Sequence, residues 1–332
     1  MRAWLRGVAF GVLLVFVATA IGTAMAAEKV PVRFSLDWIV GGRHAGWFTA
    51  LEKGYYDEAG LKVTISRGYG SEDGTRRLMS GESDINFNDI AGIVLARSRQ
   101  GAKIKVAGVI YAKHPSVIFT LKKSGIKTPK DLEGKTIVDS PGSTQVVLFP
   151  AFAKAAGIDA AKVNWLLVPP DAKNQMLLSE KAQGMGIYVM QRPILEKGAA
   201  ALGGIDQISY GDYLNMYGNG ILVNEDFLKK NPDAVKKFVK ASIKGFLYAF
   251  DHPDEAAGFV LKNQPLLDRE VTKAEGLIVR DIAWSPEAKQ HGLGYMDEAR
   301  MRTTRDLMFQ LFDLKNPVAL EDLYTNKFLT EP

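Results

Sequence analysis

Between Phe34 and Leu61 the apolar period of this chain switches from two to about 3.6, and that switch fixes the local architecture. Phe34, Leu36 and Trp38 alternate with Ser35 and Asp37, as in a short strand. Gly41 and Gly42 break the strand, and Ala45, Phe48 and Leu51 then recur at helical spacing until Gly54. Strand, glycine loop and helix in that order form half of a βαβ unit, and ligands of α/β proteins bind at such loops. This loop region carries Trp38, Arg43, His44 and Trp47, a heavy load of aromatic and hydrogen-bonding groups. Aromatic faces suit a flat or partly apolar solute, and a polar edge orients it. Asp37 is expected to hold the loop.

The same alternation runs on. Strands are expected over Val30–Leu36, Lys62–Arg67, Ser83–Phe87 and Ile104–Tyr111, with helices over Gly46–Glu52, Gly74–Ser80 and Ile90–Arg99. Ser116–Leu121 leads away from that unit. Strands at Lys135–Val138, Asn164–Val168 and Gly184–Val189 and a helix at Ser143–Ala156 start a second series, which Gln175–Ser179 continues. Gly218–Val223 reads as a return. Beyond it the chain is helical; Val235, Phe238, Val239, Ile243, Phe246 and Leu247 form one apolar stripe. Such alternation predicts mainly parallel sheets covered on both faces.

The chain opens with a basic Arg2/Arg6 region, an apolar run from Val8 to Ile21, and Ala24-Met25-Ala26, which fits a small-x-small cleavage site. Residues 1–27 are therefore expected to be a cleaved signal peptide; the run is short for a membrane span of roughly 20 residues. About 305 of the 332 residues remain, which suits two α/β lobes. Of the 42 Lys and Arg, losing Arg2 and Arg6 leaves 40 against 37 acidic residues, so the net charge falls from +5 to +3. Basic residues are scattered, so no nucleic-acid partner is expected. With no cysteine there are no disulfides and no thiolate sites. The four histidines, His44, His114, His252 and His291, have no zinc-hydrolase spacing, and no G-x-S-x-G occurs. No metal, cofactor or catalytic residue is expected.

Leu36-Asp37-Trp38, His44-Ala45-Gly46, Leu51-Glu52-Lys53-Gly54-Tyr55-Tyr56 and Gly60-Leu61 together resemble the start of periplasmic solute-binding proteins of bacterial ABC importers. The similarity is to the branch that binds thiamine pyrimidine precursors, nitrate and alkanesulfonates. Val40-Gly41 stands where the pyrimidine-binding pattern commonly has Pro-Asn, so the solute stays open. The resemblance implies a type II periplasmic binding protein: 28–117 and 220–332 form the first lobe, 118–219 the second, with a hinge and the ligand cleft between them. It implies a periplasmic monomer that is not an enzyme and that delivers a small solute to an inner-membrane ABC permease and its ATPase. Fungal pyrimidine synthases share the fold, but use iron and a cysteine-rich motif that this chain lacks. A sensory binding module is a further alternative.

Expected cleft residues from the first lobe are Trp38, Arg43, His44 and Trp47, then Tyr69 in the Gly68–Ser71 turn, and Asn88 and Asp89. The Asp139–Thr144 turn offers Ser140, Ser143 and Thr144 at a helix start, where free N–H groups suit electron-rich atoms. Tyr188, Met190, Gln191 and Tyr217 are further candidates, and Gly218 and Gly220 are candidate pivots. Aromatic groups favour a flat ring, thiamine-pyrimidine-like; Arg43 with the Ser140–Thr144 turn would suit a carboxylate or sulfonate. Nitrate ranks last.

Overall fold

A computed structural model describes residues 28–329; the expected leader lies outside them. Among the described residues, ten strands form two five-stranded sheets. The first contains β1 (Val30–Ser35), β2 (Leu61–Ser66), β3 (Ile85–Asp89), β4 (Ile104–Val109) and the late strand β10 (Asn219–Asn224), in the order β2-β1-β3-β10-β4. The second contains β5 (Ser116–Leu121), β6 (Thr136–Asp139), β7 (Asn164–Leu167), β8 (Gly184–Tyr188) and β9 (Ile205–Ser209), in the order β7-β6-β8-β5-β9.

In each sheet four strands run one way and one runs against them, which fits the mainly parallel expectation and adds a single reversed strand. β10 runs antiparallel to β3 and β4, and β5 antiparallel to β8 and β9. These are the two strands by which the chain enters a lobe from the other one. A chain arriving from outside meets the sheet end where the resident parallel strands finish, so it must run against them. The crossings, residues 110–115 and 210–218, lie side by side: Ile110 and Tyr111 N–H both donate to Asn219 O, and Gly218 N–H donates to Tyr111 O.

Gly218 and Gly220 serve this approach. A Cβ on Gly218 would lie 2.6 Å from Pro115 Cδ, and one on Gly220 would lie 2.6 Å from Gly108 O. Close packing, rather than free rotation, is what these positions require of glycine. β9 and the Arg192–Ala199 helix are additions to the sequence reading. The helix expected from Gly74 begins at Ser71, after Gly70 turns the chain at φ +113°.

The first lobe's core gathers Phe34, Trp47, Phe87, Phe238 and Phe246. Trp47 lies 4.7 Å from Phe34, 5.3 Å from Phe87 and 4.8 Å from Phe246, centroid to centroid. The Pro232–Asp251 helix delivers Phe238 and Phe246 from the expected stripe, although Leu247 at its edge is exposed. Its Gly245 lets it press onto the Ala45–Glu52 helix, where an added Cβ would sit 2.4 Å from Gly46 O. No helix among the described residues is long and apolar enough to cross a membrane.

Candidate functional site

The cleft between the sheets is lined from the first lobe by Asp37, Trp38, Arg43, Gly70 and Ser71. The second lobe supplies Ser143, Thr144, Gln145, Lys173, Ile187 and Tyr188. On the first-lobe side, the loop after β1 is braced from behind. Asp37 Oδ1 accepts from His44 Nε2 at 2.7 Å, and Oδ2 accepts from Asn219 Nδ2 at 2.9 Å. His44 Nδ1 accepts from Gly41 N–H, which assigns the ring proton to Nε2. Burial pushes the His44 pKa down against the pull of Asp37, so the ring is a neutral strut. Gly68 N–H and Gly70 N–H clamp the same loop by donating to Trp38 O and Asp37 O.

The loop is pressed onto the Arg269–Ala283 helix so closely that a Cβ on Gly42 would lie 1.8 Å from Thr272 O. Glu275 of that helix is buried beside the loop, and burial raises its carboxyl pKa against the pull of the Arg43 charge and of the Gly42 and Arg43 backbone N–H groups. The result is that Arg43 turns inward. It is 5% exposed, and its Nε has no hydrogen-bond partner.

On the second-lobe side, Asp139 ends the buried strand β6, and Lys173 opens the Lys173–Leu178 helix. Their charges meet at 2.5 Å, with Lys173 2% and Asp139 0% exposed at the side chain. Asp139 Oδ1 also accepts Ser140 N–H at 2.7 Å, while Oδ2 has no partner. Burial raises the Asp139 pKa and lowers that of Lys173, in both cases outweighing the pair's mutual attraction. Gly186 gives the carboxylate room, since a Cβ there would lie 2.3 Å from Oδ2. Ser143 caps the Thr144–Ala156 helix through Val146 N–H, as its place after Pro-Gly suggested.

The two walls touch. Ser71 Oγ lies 3.1 Å from Thr144 Oγ1. Tyr188 OH lies 3.1 Å from Asn219 Oδ1 and 3.3 Å from Thr144 Oγ1, and burial holds the phenol protonated. His44, Asp37, Asn219 and Tyr188 thus form one hydrogen-bonded chain from lobe to lobe. These contacts leave a cavity of about 50 Å³, room for a few waters. Wider hollows of about 470 and 680 Å³ are each lined from one lobe only, so parting the lobes would not open them.

Of the residues singled out in the sequence, Trp38, Arg43, Ser143, Thr144 and Tyr188 converge on this cleft. His44 stands behind it. Trp47 is fully buried in the first lobe's core, because the Ala45–Glu52 helix turns that face to the sheet. Tyr69 is 65% exposed beside the cleft, its ring under the Arg67 guanidinium at 4.4 Å. Asn88 Nδ2 donates to Ser71 O and so positions a wall rather than lining one. Asp89 caps the Ile90–Gln100 helix and faces His114 Nε2 at 3.3 Å.

Ser140 is buried behind the turn with its Oγ unpartnered. Tyr217 is held away from the cleft: its hydroxyl accepts Asp297 N–H, its ring lies under Arg300, and burial pushes its pKa up to about 12. Met190 packs into the first lobe's core, and Gln191 ends a short turn beside it. The sequence reading missed Lys173, Asp139, Gln145 and Ser71. Only Asp139 carried a local signal, a carboxylate closing the apolar run Ile137-Val138. Among the described residues, no group of three or more His, Asp or Glu could hold a metal.

A family model described as NMT1/THI5 like matches residues 42–256. The chain belongs to the NMT1/THI5-like family. That match takes in the Gly42–His44 loop, both crossings and the whole second sheet. Among curated relatives, the riboflavin-binding protein RibY of Chloroflexus aurantiacus is 25% identical over 98% of each chain. The formylaminopyrimidine-binding protein of Halalkalibacterium halodurans is 26% identical over 70% of each. A Legionella pneumophila 4-amino-5-hydroxymethyl-2-methylpyrimidine phosphate synthase is 25% identical over 74% of this chain and 77% of its own. The solved Escherichia coli aliphatic sulphonate binding protein SsuA has the same fold, a type II periplasmic binding protein (TM-score 0.67, 16% identity, 91% of this chain and all of the other).

Proposed function

We propose that this chain is the solute-binding component of an ABC importer, exported through its leader to the periplasm. It captures a small ring-bearing solute between its lobes and hands it to the permease without changing it. The observation that carries this reading is the cleft itself. Trp38 faces it from one lobe, Ser143, Thr144 and Tyr188 from the other, and a hydrogen-bonded chain links the two. A half-buried indole offers a flat stacking face, and the polar edge opposite can orient a heteroaromatic ring. Both walls are complete only when the lobes close, so solute favours the closed state.

Relatives named for binding riboflavin and formylaminopyrimidine support a flat heteroaromatic solute, thiamine-pyrimidine-like. The synthase relatives keep an enzymatic reading in view. Against it, both oxygens of Asp37 are committed to neutral partners, and Asp139 is tied to Lys173.

Small-angle scattering and mass spectrometry on purified mature protein test the proposal together. A solute that raises the melting temperature should shrink the radius of gyration and be recovered intact. Consumption of the solute, or binding with no change of shape, refutes capture by closure.

A further inference from the structure

Lys173 lines the cleft from the second lobe, yet its side chain is only 2% exposed. A lysine ordinarily keeps its ammonium in water, where all three N–H donors are met. Here Asp139 Oδ1, at 2.5 Å, is the one hydrogen-bond partner of Lys173 among the described residues. As a fastening the pair is poor. Two buried charges repay their desolvation only when their remaining hydrogen bonds are also met. Two N–H groups of the ammonium are unmet, and Asp139 Oδ2 beside it has no partner either. The unused donors stand at the cleft wall, where a bound molecule can take them up.

The charges around Lys173 are already answered. Asp139 faces it, and across the cleft the Arg43 charge acts on the buried Glu275 carboxyl. Asp37 adds a third carboxyl group, bonded to His44 and Asn219. What the wall lacks is a hydrogen-bond acceptor, not a further negative charge.

We infer that Lys173 is a specificity-determining residue for the captured solute, its ammonium donating to a neutral acceptor, a ring nitrogen or ring carbonyl oxygen, while the ring's face lies on Trp38. The inference rests on the solute-binding reading above and adds the group that reads the ring's edge. Trp38 alone cannot tell a heterocycle from a carbocycle of the same shape, since both present a flat face. Lys173 can. A charged donor strengthens the bond to an acceptor, whereas a ring C–H in that place leaves the donors buried and unpaired.

The test uses protein unfolded, dialysed free of small molecules and refolded, with neutral probes paired by shape: 4-amino-2-methylpyrimidine with 3-methylaniline, and nicotinamide with benzamide. Benzoate is the anionic control. Melting temperature and calorimetric affinity are read for the wild type, for Lys173→Met, and for Lys173→Met with Asp139→Leu, which removes the stranded carboxylate and keeps the reading available if the single variant does not fold. At least one heterocycle should bind the wild type about tenfold or more tighter than its carbocyclic partner, and both variants should lose that preference.

Four results overturn the inference: carbocycles binding as tightly as heterocycles, a preference that survives in the double variant, benzoate binding more tightly than every neutral probe, or no response to any heterocycle up to about 10 mM, where even a millimolar site is mostly filled. Failure of the reading beneath it looks different: binding that ignores Trp38→Ala and leaves the scattering profile unchanged removes the cleft itself.

Discussion

Replacing Lys173 with Met tests the electrostatics of the second wall directly. The variant keeps most of the side-chain volume and removes the cation 2.5 Å from Asp139. That carboxylate is fully buried, and its Oδ2 is already without a partner, so only Ser140 N–H remains to it. Leaving a buried charge unpaired costs about 3–5 kcal/mol. For a chain of this size the loss corresponds to a melting temperature lower by about 5–8 °C near neutral pH.

The pH dependence is a sharper check than the size. Burial already holds the Asp139 pKa above its ordinary value, and losing Lys173 raises it further. A carboxyl whose folded pKa exceeds its unfolded one binds its proton more tightly when folded. The unfolded chain ionises first, so stability falls as pH rises between the two values. The deficit of Lys173→Met should therefore be full near pH 7 and shrink toward pH 4. Both partners' shifts oppose the charged forms, so Lys173→Met with Asp139→Leu should recover most of the loss. Scanning fluorimetry across pH reads all three proteins. A deficit below about 1 kcal/mol, or one equal at both ends of the range, refutes an uncompensated buried carboxylate.

Trp38→Ala should weaken solute binding at least tenfold, about 1.4 kcal/mol, by calorimetry; unchanged affinity removes the stacking role. Trp47→Ala should cost about 3–5 kcal/mol of stability while the folded fraction keeps its affinity, because the ring packs among Phe34, Phe87 and Phe246 and not in the cleft. Gly42→Ala should disrupt the binding loop, since its Cβ would meet the Thr272 carbonyl at 1.8 Å; a variant that binds and melts like the wild type contradicts that contact.

Legibility in the sequence followed the range of the interactions. The switch from period two to helical period placed β1, its loop and the Ala45–Glu52 helix, and so put Trp38 and Arg43 at a strand's C-terminal end, where they line the cleft. Pro141-Gly142-Ser143 marked a helix start for the same local reason. Trp47 misled because a helix shows its apolar face in sequence but not which neighbour that face meets. Tyr217 misled because its partner, Asp297, lies 80 residues on. Lys173 was invisible: only the juxtaposition of β6 with the chain after β7 brings it to Asp139. β9 pairs with β5 alone and is a weakly apolar edge, so its residues carried little signal.

The first sheet cannot be finished in the order in which it is synthesised. Its β10 lies between β3 and β4, more than a hundred residues after either, so those strands have facing edges with no occupant until the chain has made the whole second lobe and come back. The second sheet suffers no such delay, since one unbroken segment supplies all five of its strands. Folding should begin in the middle of the polypeptide, with the half that holds both ends waiting open. Long-range strand pairing of this kind is slow, so the first lobe should be the later of the two to gain its full protection.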